Sequence, residues 1–179
     1  WTALGSLASA PRDQRTITGL TLLLQDTELR NALIPLTIEG AFGSLFDATQ
    51  DGLGYGSWQV FEMEKIMQTA AVVPPTLSYL FHRLEQRLDG KPTLIILDEC
   101  WVFLDNPIFA ERIREWLKTF RKKNASVVFA TQSLQDVANS TIAPAIMESC
   151  HTKIFLPNSS ALSEQIQKTY FKFDLNERE

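Results

Sequence analysis

The chain holds 179 residues, 45% of them hydrophobic, with a formal net charge of -4. That size and apolar share fit one ordinary soluble domain able to bury a core, and the mild acidity argues against broad non-specific nucleic-acid binding while leaving room for a local basic patch. Two cysteines, Cys100 and Cys150, lie far apart, each beside a strand-like run. They read as buried, inert thiols of a reduced cytoplasmic protein rather than as a disulfide.

The first elements in chain order are helical. "TALGSLASA" ends at Pro11; "QRTITGLTLLLQ" and "DTELRNALI" follow, with Asp26 suited to cap the third helix and Pro35 to stop it. Residues 1–35 therefore form a small helical segment. A loop punctuated by Gly52, Gly54 and Gly56 precedes a strand-like "WQVFE" at 58–62. Its G-x-G-x-G spacing lacks the lysine and the helix start of a phosphate loop, so it reads as a flexible connection. After Pro74 and Pro75, Leu77, Leu80, Phe81, Leu84 and Leu88 recur at helical spacing and mark an amphipathic helix that ends at Gly90, within a helical segment of about 63–90.

From there the pattern alternates. A strand at 93–97 is followed by a helix from about Pro107 to Lys122, a strand "SVVFA" at 126–130, a helix from Ser133, a strand "TKIFL" at 152–156 and a last helix from about Ser160. Strands alternating with helices in this way make βαβ units and a parallel sheet, hence an α/β fold. Ser133 with Asp136 three residues on makes a capping box, which puts Thr131 and Gln132 in a tight turn directly after a strand. No apolar stretch approaches the roughly 20 residues needed to cross a bilayer, and the start "WTALGSLASAPRDQR" lacks the order of a signal peptide, so membrane association is expected only through partners.

The first strand of this alternation, "TLIIL", ends abruptly in Asp98 and Glu99. Ligands of parallel α/β sheets bind in the crevice at the carboxyl ends of the strands, and two acids there suit a metal ion and a water to be activated. The bland alternative is a charge pair near a helix start. The usual companion, G-x-x-x-x-G-K-[ST], occurs nowhere in the chain. Gln132, in the next strand-to-helix turn, faces the same rim on this reading, or else merely caps a helix or meets water. His82 and His151 show no metal-ligand spacing to the cysteines, Trp58, Trp101 and Trp116 are most simply core or interface aromatics, and no nucleophile elbow appears.

The block "ILDECWVFLDNPIFAERIREWLKTFRKKNASVVFATQSLQD", with "PTLSYLFHRLE" before it and "ESCHTKIFLPN" after it, resembles the TrbE-type conjugal transfer ATPases of type IV secretion. The resemblance covers nearly the whole chain and implies part of a RecA-like P-loop NTPase core with a parallel sheet. In that family a helical insertion separates the phosphate loop from the acidic strand. Residues 1–35 are then part of the insertion and 36–179 part of the motor core, the phosphate loop lying outside the chain. By the same resemblance Asp98 holds Mg²⁺, Glu99 is the general base, and Gln132 senses the γ-phosphate of ATP. Cys100 stands where the family more usually has alanine.

Arg121, in "FRKKN", has two readings. On its own it is a solvated charge at a helix end, with Lys122 and Lys123 beside it. By similarity to RecA-like hexameric motors it is a finger that reaches the neighbouring subunit's nucleotide. The implied assembly is a homo-oligomer, with a hexamer as one form, at the cytoplasmic face of the bacterial inner membrane among other secretion and conjugation proteins. Two further functions stay open: a non-catalytic assembly module of the secretion machine, and a DNA-pumping coupling ATPase, for which a stronger basic lining is expected than the net charge suggests.

Overall fold

The computed structural model describes residues 1–54, 56–99, 104, 106–159, 161 and 163–175. The readings placed on Cys100, on Trp101 and on a helix start at Ser160 lie outside the described residues. The chain divides into two compact units, Trp1–Gln68 and Thr69–Glu179.

The first unit is helical and irregular. It contains α1 (Thr2–Ser9), α2 (Ile17–Leu23), α3 (Thr27–Leu33) and α4 (Gly43–Phe46), with a short helical turn α5 (Glu64–Met67) near its end. Asp26 caps α3 as its residue type favours, its carboxylate accepting from the Leu29 amide at 3.0 Å. Pro35 sits in the 3₁₀ turn Ile34–Leu36 that follows. Residues 58–62, expected as a strand, join no ladder among the described residues, and Trp58, expected in a core or an interface, is 77% exposed. β-propensity marks a segment that fits a pleated surface; it makes a strand only where a second strand supplies hydrogen bonds.

A single carboxylate organises this unit. Asp47 accepts from the amides of Ile17 (2.7 Å), Thr18 (3.2 Å) and Ile38 (2.7 Å) and from the Thr18 hydroxyl. Two of these amides belong to the first turn of α2, where backbone donors have no helical partner and a negative charge is favoured. Burial alone would raise this carboxyl's pKa. The hydroxyl of Thr18 and the three backbone amides outweigh burial and hold it below the ordinary 3.8.

The second unit carries the strand and helix alternation: α6 (Val73–Arg87), β1 (Thr93–Leu97), α7 (Pro107–Thr119), β2 (Ala125–Phe129), α8 (Leu134–Asn139), α9 (Ala143–Ser149) and α10 (Glu164–Phe171). Pro74 and Pro75 open α6 where missing amides cost nothing, and Gly90, at φ +94°, takes the left-handed turn beyond its end. The side chain of Asn106 caps α7, accepting from the amides of Ile108 and Phe109 at 3.0 and 3.2 Å. Residues 120–122, expected within that helix, tighten with Lys123 into a 3₁₀ turn that Asn124 closes in the left-handed region.

β1 and β2 are parallel, in register from Thr93 opposite Ala125 to Leu97 opposite Phe129. Among the described residues they form the whole sheet. The expected strand 152–156 pairs with nothing described. Phe155 turns inward against Tyr170 and Phe173, while Ile154 and Leu156 point to solvent. This is the alternation of a strand without a ladder.

The core lies between α6 and α7. Phe81 meets Phe109 and Trp116 at ring distances of 5.2 and 4.7 Å, and Trp116 stacks on Phe120. The indole Nε1 of Trp116 donates to Glu85 across the two helices at 2.7 Å, so the largest buried ring leaves no polar atom unpaired. Ile95 and Ala125 are buried on one face of the sheet, whereas Leu94, Ile96 and Val128 stand exposed on the other. Among the described residues no helix is long and apolar enough to cross a membrane.

Candidate functional site

Two loops meet at the carboxyl ends of the paired strands. The first leaves β1 through Asp98 and Glu99. The second leaves β2 through Ala130, Thr131 and Gln132, held level with the first because the Ala130 amide donates to the Leu97 carbonyl at 2.9 Å. Parallel register thus brings residues 33 apart in sequence to one rim, and the side-chain amide of Gln132 donates to Oε1 of Glu99.

Each partner is positioned by its own loop. Glu99 has φ +49°, in the left-handed region that costs a side-chain-bearing residue energy and is concentrated at functional sites. Its amide donates to the Asp98 carboxylate at 3.1 Å, so the two acids fold on one another in a tight turn. On the second loop the Thr131 hydroxyl accepts from the Ser133 amide at 3.1 Å, and the Ser133 hydroxyl in turn accepts from the Asp136 amide at 3.3 Å as the N-cap of α8. Gln132 is therefore framed by two local side-chain to backbone bonds. Asp98 and Gln132 are exposed and Glu99 is half-buried.

Asp98, Glu99 and Gln132 thus share one rim. Arg121 does not join them. It lies in the turn Phe120–Lys123 just before β2, and the Thr93 amide bonds the carbonyl of neighbouring Asn124 at 3.1 Å, which places Arg121 at the amino ends of both strands. A strand of five residues separates the two rims, about 16 Å at 3.3 Å per residue. Arg121 is exposed, and among the described residues no carboxylate pairs with it.

The remaining candidates lie apart. His82 shares a 2.9 Å hydrogen bond with Gln86 on the exposed side of α6. Cys150 is half-buried rather than fully buried, and burial raises its thiol pKa although Lys153 pulls the other way. A groove of about 350 Å³, lined by Ala143, Met147, Lys172 and Phe173 among others, shares no residue with the rim. Asn-Pro at 106–107 marks a helix start that could have been read as the Asn106 cap, whereas the Asp47 clasp joins segments too distant for any local pattern.

An exposed carboxylate next to a second, hydrogen-bonded one is a donor set of hard oxygens, suited to the hydrated Mg²⁺ of a nucleotide site. Residues 24–179 match the family described as the TraG P-loop domain. The chain is 45% identical over 166 residues to the conjugal transfer protein TrbE of Rhizobium radiobacter, covering 92% of this chain and 20% of that protein. It is 43% identical over 174 residues to a probable conjugal transfer protein of Sinorhizobium fredii, also a TrbE, covering 97% and 26%. With the type IV secretion system protein virB4 of Bartonella quintana it shares 37% over 182 residues, covering 99% and 23%. The chain thus spans between a fifth and about a quarter of the length of these curated relatives.

Proposed function

The chain belongs to the TraG P-loop domain family, as a portion of a TrbE/VirB4-type protein of type IV secretion, and from that premise we propose that it is part of an ATPase motor that energises conjugal transfer. The observation that carries this reading is the meeting of Glu99 with Gln132 at the carboxyl-end rim of two parallel strands. It is where an α/β sheet binds its ligand, and the side chains there are a proton acceptor and an amide donor.

Each residue has a distinct task. Asp98 accepts hydrogen bonds from the water shell of Mg²⁺, and the ion, when bound, neutralises charge on the β- and γ-phosphates of ATP. Glu99 orients the attacking water and takes its proton, a role for which the half-buried rim holds the carboxylate in place. Gln132 donates its amide to the γ-phosphate and couples its loss to α8, whose N-cap is the next residue. Phosphate-cradling amides and a P-loop lysine belong to another stretch of the longer protein, so the 179-residue chain alone is expected to hydrolyse ATP negligibly. The core is RecA-like, with residues 1–35 from the helical insertion. The protein works as a homo-oligomer, a hexamer among its forms, at the cytoplasmic face of the inner membrane beside other secretion proteins.

Arg121 serves a neighbouring subunit on this reading, since it lies a strand's length from its own rim. A guanidinium can bridge two phosphate oxygens and keeps its charge. Subunits of the longer protein carrying Glu99→Gln should bind ATP but turn over about 10²- to 10⁴-fold more slowly. Subunits with Arg121→Ala should lose about 10³- to 10⁵-fold, and mixing the two should restore part of the activity through interfaces that pair an intact base with an intact finger. Wild-type turnover in Glu99→Gln subunits would remove Glu99 as the base. Full turnover in Arg121→Ala assemblies would return Arg121 to a helix-end charge.

A second reading has an observation of its own. Leu94, Ile96 and Val128 leave an apolar sheet face open, and Ile154 and Leu156 add to the apolar surface of the same unit, which suits an assembly module that binds other proteins without catalysis. Retained ATP binding with no hydrolysis by the wild-type longer protein would favour it.

A further inference from the structure

We propose that the amino-end rim of the two strands is a docking surface for the anionic face of a phospholipid bilayer. The inference rests on where charge is placed and not on the ATPase reading, and it adds a direct contact to the expectation that the membrane is met only through partners.

Charge is segregated in this chain. Residues 87–91 and 118–124 carry Arg87, Lys91, Lys118, Arg121, Lys122 and Lys123 against one acid, Asp89, a net charge of +5 in a chain whose total is -4, so the other residues sum to -9. The fold brings the two stretches together. The Asn124 side chain donates to the Gly90 carbonyl at 3.1 Å, and the Thr93 amide donates to the Asn124 carbonyl at 3.1 Å, so the turns that follow α6 and α7 are tied side by side where β1 and β2 begin. Lys123 is half-buried and the other five cations are exposed. Asp89 pairs with Lys91 at 2.9 Å, and the next acids back along the two helices, Glu85 and Glu115, pair with Arg112. Among the described residues no ion pair reaches Lys118, Lys122 or Lys123.

A helix-end role accounts for little of this charge. The carboxyl ends of α6 and α7 each carry about half a negative elementary charge, so the two helices answer about one of the five positive charges. The acidic rim at the other end of the strands lies about 16 Å away, beyond the roughly 8 Å over which exposed charges act in physiological salt. It does not cancel the remainder.

The surroundings of the cations select the partner. A single-stranded nucleic acid is held by aromatic side chains that stack on its bases, and the one aromatic residue of these stretches, Phe120, is buried. Individual phosphates of a duplex are seated by backbone amides and helix amino ends, whereas two helix carboxyl ends face this rim. Long lysine and arginine side chains that extend past those ends suit a diffuse negative plane. Beside them Pro92 and Leu94 are exposed, and they supply the apolar contact that a bilayer interface accepts.

Co-sedimentation of the longer protein that carries this chain with vesicles tests the proposal, using phosphatidylcholine alone or phosphatidylcholine and phosphatidylglycerol in equal parts. Wild type should bind the mixed vesicles, less so as salt is raised. Replacing Lys118, Lys122 and Lys123 together by glutamine should weaken that binding about 10- to 100-fold. The same three positions changed to arginine should keep it, because the charge is restored. Arg121 stays in place in both variants, so the finger reading is tested separately. Absence of wild-type binding to the mixed vesicles, a glutamine variant that binds as wild type does, or an equal loss in the arginine variant would each overturn the proposal. Lost affinity for a DNA duplex in the glutamine variant, with vesicle binding unchanged, would overturn it as well and assign the surface to nucleic acid.

Discussion

The two units of this chain hold themselves together by different means. Among the described residues, every large apolar side chain in the buried core belongs to Thr69–Glu179, from Val72 to Phe173. In Trp1–Gln68 the buried side chains among the described residues are Thr21, Thr37 and Asp47, while Leu22, Leu29, Ile34, Ile38 and Leu45 are exposed. One unit is an apolar core with a polar rim; the other is a set of short helices tied by a carboxylate. Apolar burial contributes roughly 1.5–3 kcal/mol for each fully buried large side chain, whereas a hydrogen bond contributes about 0.5–1.5 net. The second unit should therefore be much the more stable, and it is the one that carries Asp98, Glu99 and Gln132 on a rigid base.

The largest expected effect tests that asymmetry directly. Phe109 is 2% exposed and packs on Phe81, so Phe109→Ala should cost the second unit about 3–5 kcal/mol through lost burial and a cavity. Urea denaturation followed by tryptophan fluorescence from buried Trp116 would read it. A loss under about 1 kcal/mol would mean that the ring cluster is not the source of this unit's stability.

A middle-sized effect belongs to the first unit and to acid. The folded Asp47 carboxyl titrates below its ordinary 3.8, so the folded state binds this proton more weakly than the unfolded chain does. Its contribution to stability is complete above pH 3.8 and is lost as pH falls below that value through the lower folded pKa. Amide exchange of Ile17, Thr18 and Ile38 should accelerate over that window ahead of amides in β1 and β2. Asp47→Asn places an amide group among four donors; it should cost about 1–3 kcal/mol and remove the acid step. An unchanged acid step in the variant would assign it to another carboxylate.

The same contrast explains which parts of the structure were legible from the residues. Alternation of apolar runs with helical spacing marked β1, α7, β2 and α8, and Asp26 and Ser133 announced their helix starts, because those signals are local. The segments 58–62 and 152–156 carry the same β-prone residues yet make no strand among the described residues, since a ladder depends on a partner that local propensity does not name. The meeting of Glu99 with Gln132 was legible only through topology: parallel strands followed by tight turns put their loops on one rim. The Asp47 clasp, which spans 29 to 30 residues to α2, had no periodicity to announce it, and a lone aspartate before a loop reads as surface.

The smallest effect is the most pointed, because it applies one change to both units. Asp26 caps α3 in the first unit and Ser133 caps α8 in the second, each by accepting an amide three residues on. Replacing either by alanine removes about 1 kcal/mol of local stability, a factor of about five in the population of the frayed helix. In the second unit that loss is set against a core of buried aromatic and aliphatic side chains, and α8 is pinned by buried Val137. In the first, α3 buries no side chain, so its folded state has little else to draw on. Asp26→Ala should then melt α3 visibly in amide exchange at neutral pH, while Ser133→Ala should leave α8 formed and shift only the amides of its first turn. Equal fraying in the two variants would show that the first unit draws on burial comparable to that of the second.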